Sequence, residues 1–431
     1  MIGNSRTRRD GPLLDLFPDS AEIVDGELAV GGLRAGELAE RFGTPLFVYC
    51  EETVLARARA YRQAAPEALV LYSVKAFPSV SLLRLFAAEG LGADVSTLGE
   101  LTFARRAELP GARIVVHGNN KSDAELAAAA KCGALVVLDA ADEVDRAAAA
   151  GVRRVLVRVT PGIDAETHDA IKTAHHGSKF GLPPDETMVA VGEAIAAGLE
   201  VQGLHVHIGS QLLDLGAERM TVDWLAAFAA ACRKGLGWTP GVVDLGGGLG
   251  VRHVEDEPAL DIRTFVQALL DRVERAWELH DLPRPRLVLE PGRSLVGDAA
   301  CTLYRVGVVK RASETTTYVA IDGGMSDNPR PQLYGARYTA LLANRANEDA
   351  TSWYAVCGSH CESGDVLIER VRLPEPRRGD LLAVPVTGAY TLGMGSNYNS
   401  VPRPAAVLVA GGAARLVRRR ETEDDLVGLE A

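Results

Sequence analysis

The sequence predicts an α/β barrel of the (β/α)8, TIM type, plus a C-terminal β-rich domain (barrel or sandwich) joined by the N-terminal strand segment. Three observations lead there. Eight short apolar, β-branched runs lie between residues 46 and 300, Ala/Leu/Glu-rich segments with helical spacing separate them, and after residue 300 strands follow strands. Strand–helix alternation is the pattern of a parallel sheet, and eight repeats argue for closure. An open doubly wound sheet is the alternative, but no GxGxxG opens a helix after the first strand.

The eight runs are LVLYSVK (69–75), GADVS (92–96), RIVVHG (113–118), ALVVLD (134–139), RVLVRV (154–159), GLHVHIG (203–209), VVDLGGG (242–248) and RLVLEPG (286–292). Segments such as SVSLLRLFAAEG, LGELTFARRAEL and KSDAELAAAAKCG have helical spacing, and Thr97, Ser122 and Asp139 or Asp142 stand where N-caps belong. Past residue 300, CTLYRVGVVKRA, TTYVAIDGG, SWYAVCG, DLLAVPVTGAY and RPAAVLVAGGAARLVRR alternate like strands joined by Gly, Pro and charged turns. AEIVDGELAVGG (21–32) reads as a hairpin turning at Asp25-Gly26. The expected division is therefore a barrel over 46–300, with 1–45 and 301–431 forming the β-rich domain. The first dozen residues and the tail RRRETEDDLVGLEA read as loosely held ends.

A formal net charge of −11 argues against nucleic-acid or anionic-membrane partners. Six cysteines scattered over 431 residues are no disulfide framework and fit a reducing compartment. Cys357 and Cys361 are close together with His360 between them, but no further ligands complete a zinc set, so no metal is expected. The N-terminus lacks the apolar stretch of a signal peptide, and no run approaches a membrane span, so a cytoplasmic location is expected.

In a (β/α)8 barrel the catalytic face lies at the C-terminal strand ends. Polar residues collect there: Lys75, Asp94, His117, Arg158, His207, Gly246-Gly247-Gly248 and Glu290. A lysine at the end of an apolar strand is costly to bury unless it is paired or chemically converted. With three glycines after strand seven, where barrels bind phosphate, it suggests a phosphate-bearing cofactor held by a Schiff base.

YSVKA (72–76), HVHIGSQ (205–211), DLGGGLG (244–250), EPGRSLVG (290–297), CESGDVL (361–367) and GAY…SNYN (388–399) occur in that order. Together they resemble the fold-type III pyridoxal-phosphate decarboxylases of the alanine racemase-like barrel family, most closely the diaminopimelate decarboxylase branch, over about residues 20–415.

The resemblance implies that Lys75 carries the cofactor aldehyde and that Glu290 faces the pyridine nitrogen, where a carboxylate favours the protonated ring. An ion pair with Arg293 is the plainer reading of Glu290. His207 would stack on the cofactor, with Ser210, Gly246, Gly247, Gly248 and Gly292 around its phosphate and Tyr390 at the cofactor and substrate end. His205 reads as the structural member of the pair of histidines. Arg293, Arg330 and Tyr334 match positions for a substrate's second carboxylate, which guanidinium forks suit, and Glu362 matches the acid for the distal ammonium. Cys361 matches the proton donor; an ordinary thiol pKa of about 8.5 suits that task near neutrality. Cys361 and Glu362 would come from the partner subunit of a homodimer. His117 and Asn119 would line the pocket floor.

The implied reaction is decarboxylation of meso-2,6-diaminopimelate to L-lysine, the last step of lysine biosynthesis. Alternatives are a related decarboxylase of another carboxylate-bearing amine, carboxynorspermidine-like or a carrier-bound glutamyl group, and a non-catalytic cofactor-binding homologue. Ornithine- or arginine-type activity would leave Arg293 and Arg330 facing no carboxylate. Racemisation is disfavoured by Glu290.

Overall fold

The computed structural model describes residues 13–162 and 178–430, so the reading of the first dozen residues as a loose end lies outside it. The chain divides into two compact units. One comprises Arg57–Gly250 with Ala259–Ser294, and the other Met1–Ala56, Val251–Pro258 and Leu295–Ala431.

The first unit is a closed barrel of eight parallel strands: β1 Leu69–Ser73, β2 Gly92–Val95, β3 Ile114–Val116, β4 Leu135–Leu138, β5 Arg154–Arg158, β6 Glu200–His205, β7 Val242–Asp244 and β8 Arg286–Leu289. Neighbours in sequence are neighbours in the sheet, and β8 closes on β1 through Val288–Leu69 and Leu289–Val70. All eight predicted runs are strands, shorter by a few residues at their C-terminal ends. There the chain leaves the ladder, so the polar residues the sequence singles out sit at or just beyond it. Inside, Leu71, Val115, Leu135, Val137, Leu156 and Val288 pack together. Glycine is required where strands approach: a Cβ at Gly203 would lie 1.7 Å from the Val242 carbonyl oxygen.

Helix starts follow their caps. Thr97 and Ser122 accept from the backbone N–H groups of Glu100 and Glu125, and Ser122 with Glu125 completes a capping box. Asp142 occupies the N-cap of Glu143–Ala149 without a side-chain cap bond. Asp139 is drawn elsewhere, its Oδ1 accepting from Arg158 (3.2 Å) and its Oδ2 from the N–H of Gly181 (2.9 Å).

The second unit is built on a nine-stranded sheet whose long strand Ala300–Arg311 pairs with Leu46–Cys50, Thr317–Ile321 and Leu381–Pro385. Leu46–Cys50 lies within the range that the sequence reading gives to the barrel, yet it pairs here, between Ala300–Arg311 and Ala405–Ala410. All five of its residues are buried, so it has no polar face to offer solvent. The hairpin Glu22–Val24/Glu27–Val30 turns through Asp25 (φ 52°) and Gly26 (φ 83°), the left-handed pair that a two-residue turn needs. The tail is less loose than its composition predicts. Thr422 and Asp425 form a capping box on Glu423–Val427, and Arg419 donates to Asp425 (2.7 Å). Among the described residues no helix is long and apolar enough to cross a membrane.

Candidate active site

In the barrel unit, Lys75 follows β1 in a single 3-10 turn, Val74–Ala76. Val74 and Ala76 are buried, but the lysine side chain is exposed. The side chain stands at the C-terminal end of the strand, so the Lys75 ammonium is not buried and the cost anticipated from the sequence does not arise.

Glu290, one residue past β8, lies at the centre of a buried polar cluster and is only 6% exposed. His117 Nε2 donates to its Oε1 (2.5 Å), and His205 Nε2 lies 3.6 Å from its Oε2. The two imidazoles meet edge to face at 4.8 Å. Asp94 Oδ1 stands 3.7 Å from His117 and its Oδ2 accepts from Ser73 Oγ (2.5 Å). Burial alone would raise the Glu290 pKa, but His117 and then His205 hold it well below the usual carboxylate range. Burial drives the Asp244 pKa the other way, well above its usual value, and the Glu290 charge reinforces this, so the two acids are pushed apart in acidity. His205 is pushed down to about 3 by burial and is neutral. Glu290 is therefore a carboxylate fixed by histidines, and its role in the cluster does not depend on the ion pair with Arg293 considered from sequence.

His117, His205, Asp244 and Glu290 offer ligand atoms within 4.8 Å of one another, the one such group of His, Cys, Asp and Glu among the described residues. Their chemistry could hold a cation, but the 2.5 Å bond between His117 and Glu290 already engages two of the four.

The glycine run after β7 has a specific need for glycine. A Cβ at Gly246 (φ 66°) would lie 2.5 Å from His207 Nδ1, and one at Gly247 2.4 Å from the carbonyl oxygen of Glu290. Gly248 (φ 129°) would place its Cβ 2.8 Å from Leu212 Cδ1. Glycine is needed because the chain passes close against its own neighbours there, and a loop without side chains is the kind that anion cradles use. His207 lies beside it, kept neutral by burial and by the charges of Lys75 and Arg158. Ser210 Oγ accepts from Arg293 Nη2 (3.2 Å), which links the loops after β6 and β8. Gly292, between Glu290 and Arg293, belongs to that same loop. A buried carboxylate to face a ring nitrogen, a glycine cradle and an accessible lysine fit pyridoxal phosphate.

In the other unit, Cys361 and Glu362 lie exposed on a turn that is nonetheless firmly held. Asp365 anchors it: Oδ2 accepts from the N–H (3.0 Å) and Nδ1 (2.9 Å) of His360, and Oδ1 from the N–H of Met325 (2.7 Å). Gly358 and Gly324 make room for that carboxylate, since a Cβ on either would approach it to 2.5 Å or less. The Cys361 N–H donates to Asn399 Oδ1 (2.9 Å). His360 is thus engaged by Asp365 and stacked near Tyr398, at 5.8 Å between ring centres. Tyr390 sits at positive φ (58°), half-buried, and Tyr334 is 66% exposed at the end of the helix Arg330–Tyr334.

Arg330 differs from Tyr334 on the same helix. It is 4% exposed, and its Nη1 donates to His253 Nε2 (2.7 Å) and to Tyr338 Oη (2.6 Å). Its Nε is buried with no hydrogen-bond partner among the described residues. Arg337, one residue before Tyr338, is exposed and bonded to Asp256 (2.9 Å).

The profile of the pyridoxal-dependent decarboxylase, pyridoxal binding domain, matches residues 51–297. A diaminopimelate decarboxylase of Actinosynnema pretiosum subsp. auranticum is 45% identical over 96% of this chain and 95% of its own length. The chain belongs to the diaminopimelate decarboxylase family. The Bacillus subtilis member is 41% identical over 96% of this chain and 98% of its own. The crystal structure of the M. jannaschii member in co-complex with L-lysine superposes with a TM-score of 0.90 at 32% identity, over 96% of this chain and 98% of that one. A lysine/ornithine decarboxylase from Vibrio vulnificus, complexed with putrescine, reaches a TM-score of 0.74 at 22% identity over 87% of this chain and 98% of its own, a likeness of fold alone. Membership makes the chain a pyridoxal-phosphate-dependent decarboxylase.

Among the residues the structure adds to those predicted are His205 and Asp244, which flank Glu290, and Asp365 and His253, which brace Cys361 and Arg330. His205 was legible only as a structural histidine, and nothing in the sequence singled out His253 or Asp365.

Proposed function

We propose that this chain decarboxylates meso-2,6-diaminopimelate to L-lysine, acting as a homodimer in the cytoplasm. The observation that carries the substrate choice is Arg330, a buried guanidinium whose Nε has no partner among the described residues while Nη1 is tied to His253 and Tyr338. An unsatisfied buried donor is unfavourable unless a ligand completes it, and a guanidinium edge suits a carboxylate. Decarboxylases of simple diamine precursors have no second carboxylate to offer.

Pyridoxal phosphate, when bound, supplies an aldehyde for an amine and a ring that accepts the electron pair left as carbon dioxide departs. Lys75 provides the enzyme's amine for that aldehyde. Glu290, ionised beside its histidines, would favour a proton on the pyridine nitrogen of the bound cofactor. His207 would offer a neutral ring face, Ser210, Gly246, Gly247, Gly248 and Gly292 would hold the phosphate, and Tyr390 would contact the cofactor and substrate. Arg293, Arg330 and Tyr334 bind the carboxylate of the carbon that is not attacked, and Glu362 binds the ammonium beside it. Cys361 gives its thiol proton to the carbon that has lost carbon dioxide. Cys361 and Glu362 serve the site of the partner subunit, a reading supported by their exposure on a well-anchored turn.

The test is release of carbon dioxide and formation of lysine from the meso, LL and DD isomers, with Lys75→Ala as the blank. Turnover of the meso isomer alone, absent in the variant, is the expected outcome. Turnover of ornithine or arginine in preference would overturn the substrate choice while leaving the cofactor reading intact.

A further inference from the structure

We propose that His253 is a positioning residue for the substrate: it fixes which edge of the Arg330 guanidinium meets the distal carboxylate, and so sets how tightly carboxylate-bearing ligands bind. The inference rests on the reading of Arg330 given above.

A guanidinium has only donors, so the 2.7 Å contact between Arg330 Nη1 and His253 Nε2 requires a lone pair on that nitrogen. His253 is therefore neutral, with its proton on Nδ1. Glu257 lies on the Nδ1 side of the ring. Its Oε2 accepts from the backbone N–H of His253 (2.7 Å) and lies 3.8 Å from Nδ1. Tyr338 takes the other Nη1 hydrogen through its hydroxyl (2.6 Å) and packs edge-on against the imidazole at 5.4 Å, with the two ring planes at 89°. His253 is 3% exposed and Tyr338 4%, so water does not compete for these bonds.

The consequence is a division of labour within one side chain. Both hydrogens of Nη1 are consumed by the protein, which leaves the Nε side as the edge for a ligand. That edge carries two parallel N–H bonds, the geometry that binds a carboxylate bidentately. Without His253, the guanidinium could rotate about its last bonds and present a mixture of edges. The cost would fall on binding of the carboxylate, whereas bond breaking occurs at the other end of the substrate.

The experiment uses the holoenzyme with His253→Leu, His253→Gln and Arg330→Gln. We measure KM and kcat for meso-diaminopimelate, and the dissociation constants of L-lysine, which retains the carboxylate, and cadaverine, which lacks it, from perturbation of the cofactor absorbance. His253→Leu is expected to raise KM and weaken L-lysine roughly tenfold, with kcat changed less than about twofold and cadaverine binding unaltered. Gln supplies a neutral acceptor and should restore most of the loss. In the Arg330→Gln background, His253→Leu should add nothing further. Equal weakening of L-lysine and cadaverine, or an unchanged KM in His253→Leu, would overturn the inference. An unchanged KM in Arg330→Gln would instead overturn the reading of Arg330 itself, so the two failures are separable.

Discussion

The acidic cluster at the barrel mouth and the turn that presents Cys361 solve opposite problems. Glu290, His117, His205 and Asp94 are buried together within one unit, with His117 hydrogen-bonded to Glu290 and the others within 3.7 Å of a neighbour, so the carboxylate is ionised and oriented by the fold itself. Cys361 and Glu362 are exposed, and what is rigid is the frame behind them, built from Asp365, His360 and Met325. A group that must hold one charge state throughout is best enclosed, because surrounding dipoles and charges then act at low dielectric. A group that must meet something from outside has to stay at the surface, with only its backbone constrained.

The sharpest way to break this comparison is to mix two inactive proteins. Lys75→Ala and Cys361→Ala should each lose at least about a hundredfold in kcat. If the thiol acts across a dimer, exchanging subunits should restore up to about a quarter of wild-type activity, since half the dimers then carry one intact site. No recovery after verified subunit exchange would place the thiol in the service of its own chain.

Glu290→Gln removes the enclosed charge and keeps the shape. It should lower kcat roughly a hundredfold while the cofactor stays bound, and the cofactor absorbance should change if the pyridine nitrogen loses the counterion proposed for it. Asp365→Asn tests the frame. Its loss of charge weakens the bonds to His360 and Met325, and an effect of roughly tenfold on kcat with the cofactor spectrum unchanged is expected.

The smallest effect separates the two units by pH. His205 is held neutral by burial, with a pKa near 3, so between that value and the ordinary histidine range the unfolded chain binds the extra proton. Stability therefore rises with pH through that window and is lost on acidification. Asp327 in the other unit behaves oppositely. Burial raises it to about 7, and its Oδ2 accepts from Tyr304 Oη (2.5 Å). The folded form holds the proton there, so its contribution is complete below the usual carboxylate pKa and disappears as pH rises through about 7. Thermal melts should show a shallower acid-side loss in His205→Asn and a shallower loss from pH 5 to 8 in Asp327→Asn.

Lys75, the glycine run and Glu290 were legible because strand periodicity alone places them at one end of a barrel, whatever their partners. His205 was read only as a structural histidine because its place beside Glu290, 85 positions away, arises only when β6, β7 and β8 lie side by side. Asp365 and His253 were invisible for a related reason. Each acts through a backbone turn or a single acceptor atom, and a lone polar residue in a Gly-rich or acidic segment has no periodicity to mark it. Lys75 itself was found for a partly mistaken reason, since its side chain is exposed at the strand end and escapes the cost of burial.

The place of Leu46–Cys50 has a consequence for synthesis on the ribosome. This strand is made early, yet one of its two neighbours in the sheet begins at Ala300 and the other at Ala405. Every residue of the barrel is translated between them, and the strand has no mate until that interval has passed. Long-range pairing of this kind is slow and leaves apolar backbone exposed meanwhile. The nascent chain thus carries a five-residue segment, fully buried in the finished fold, without its sheet partners for as long as the barrel takes to emerge.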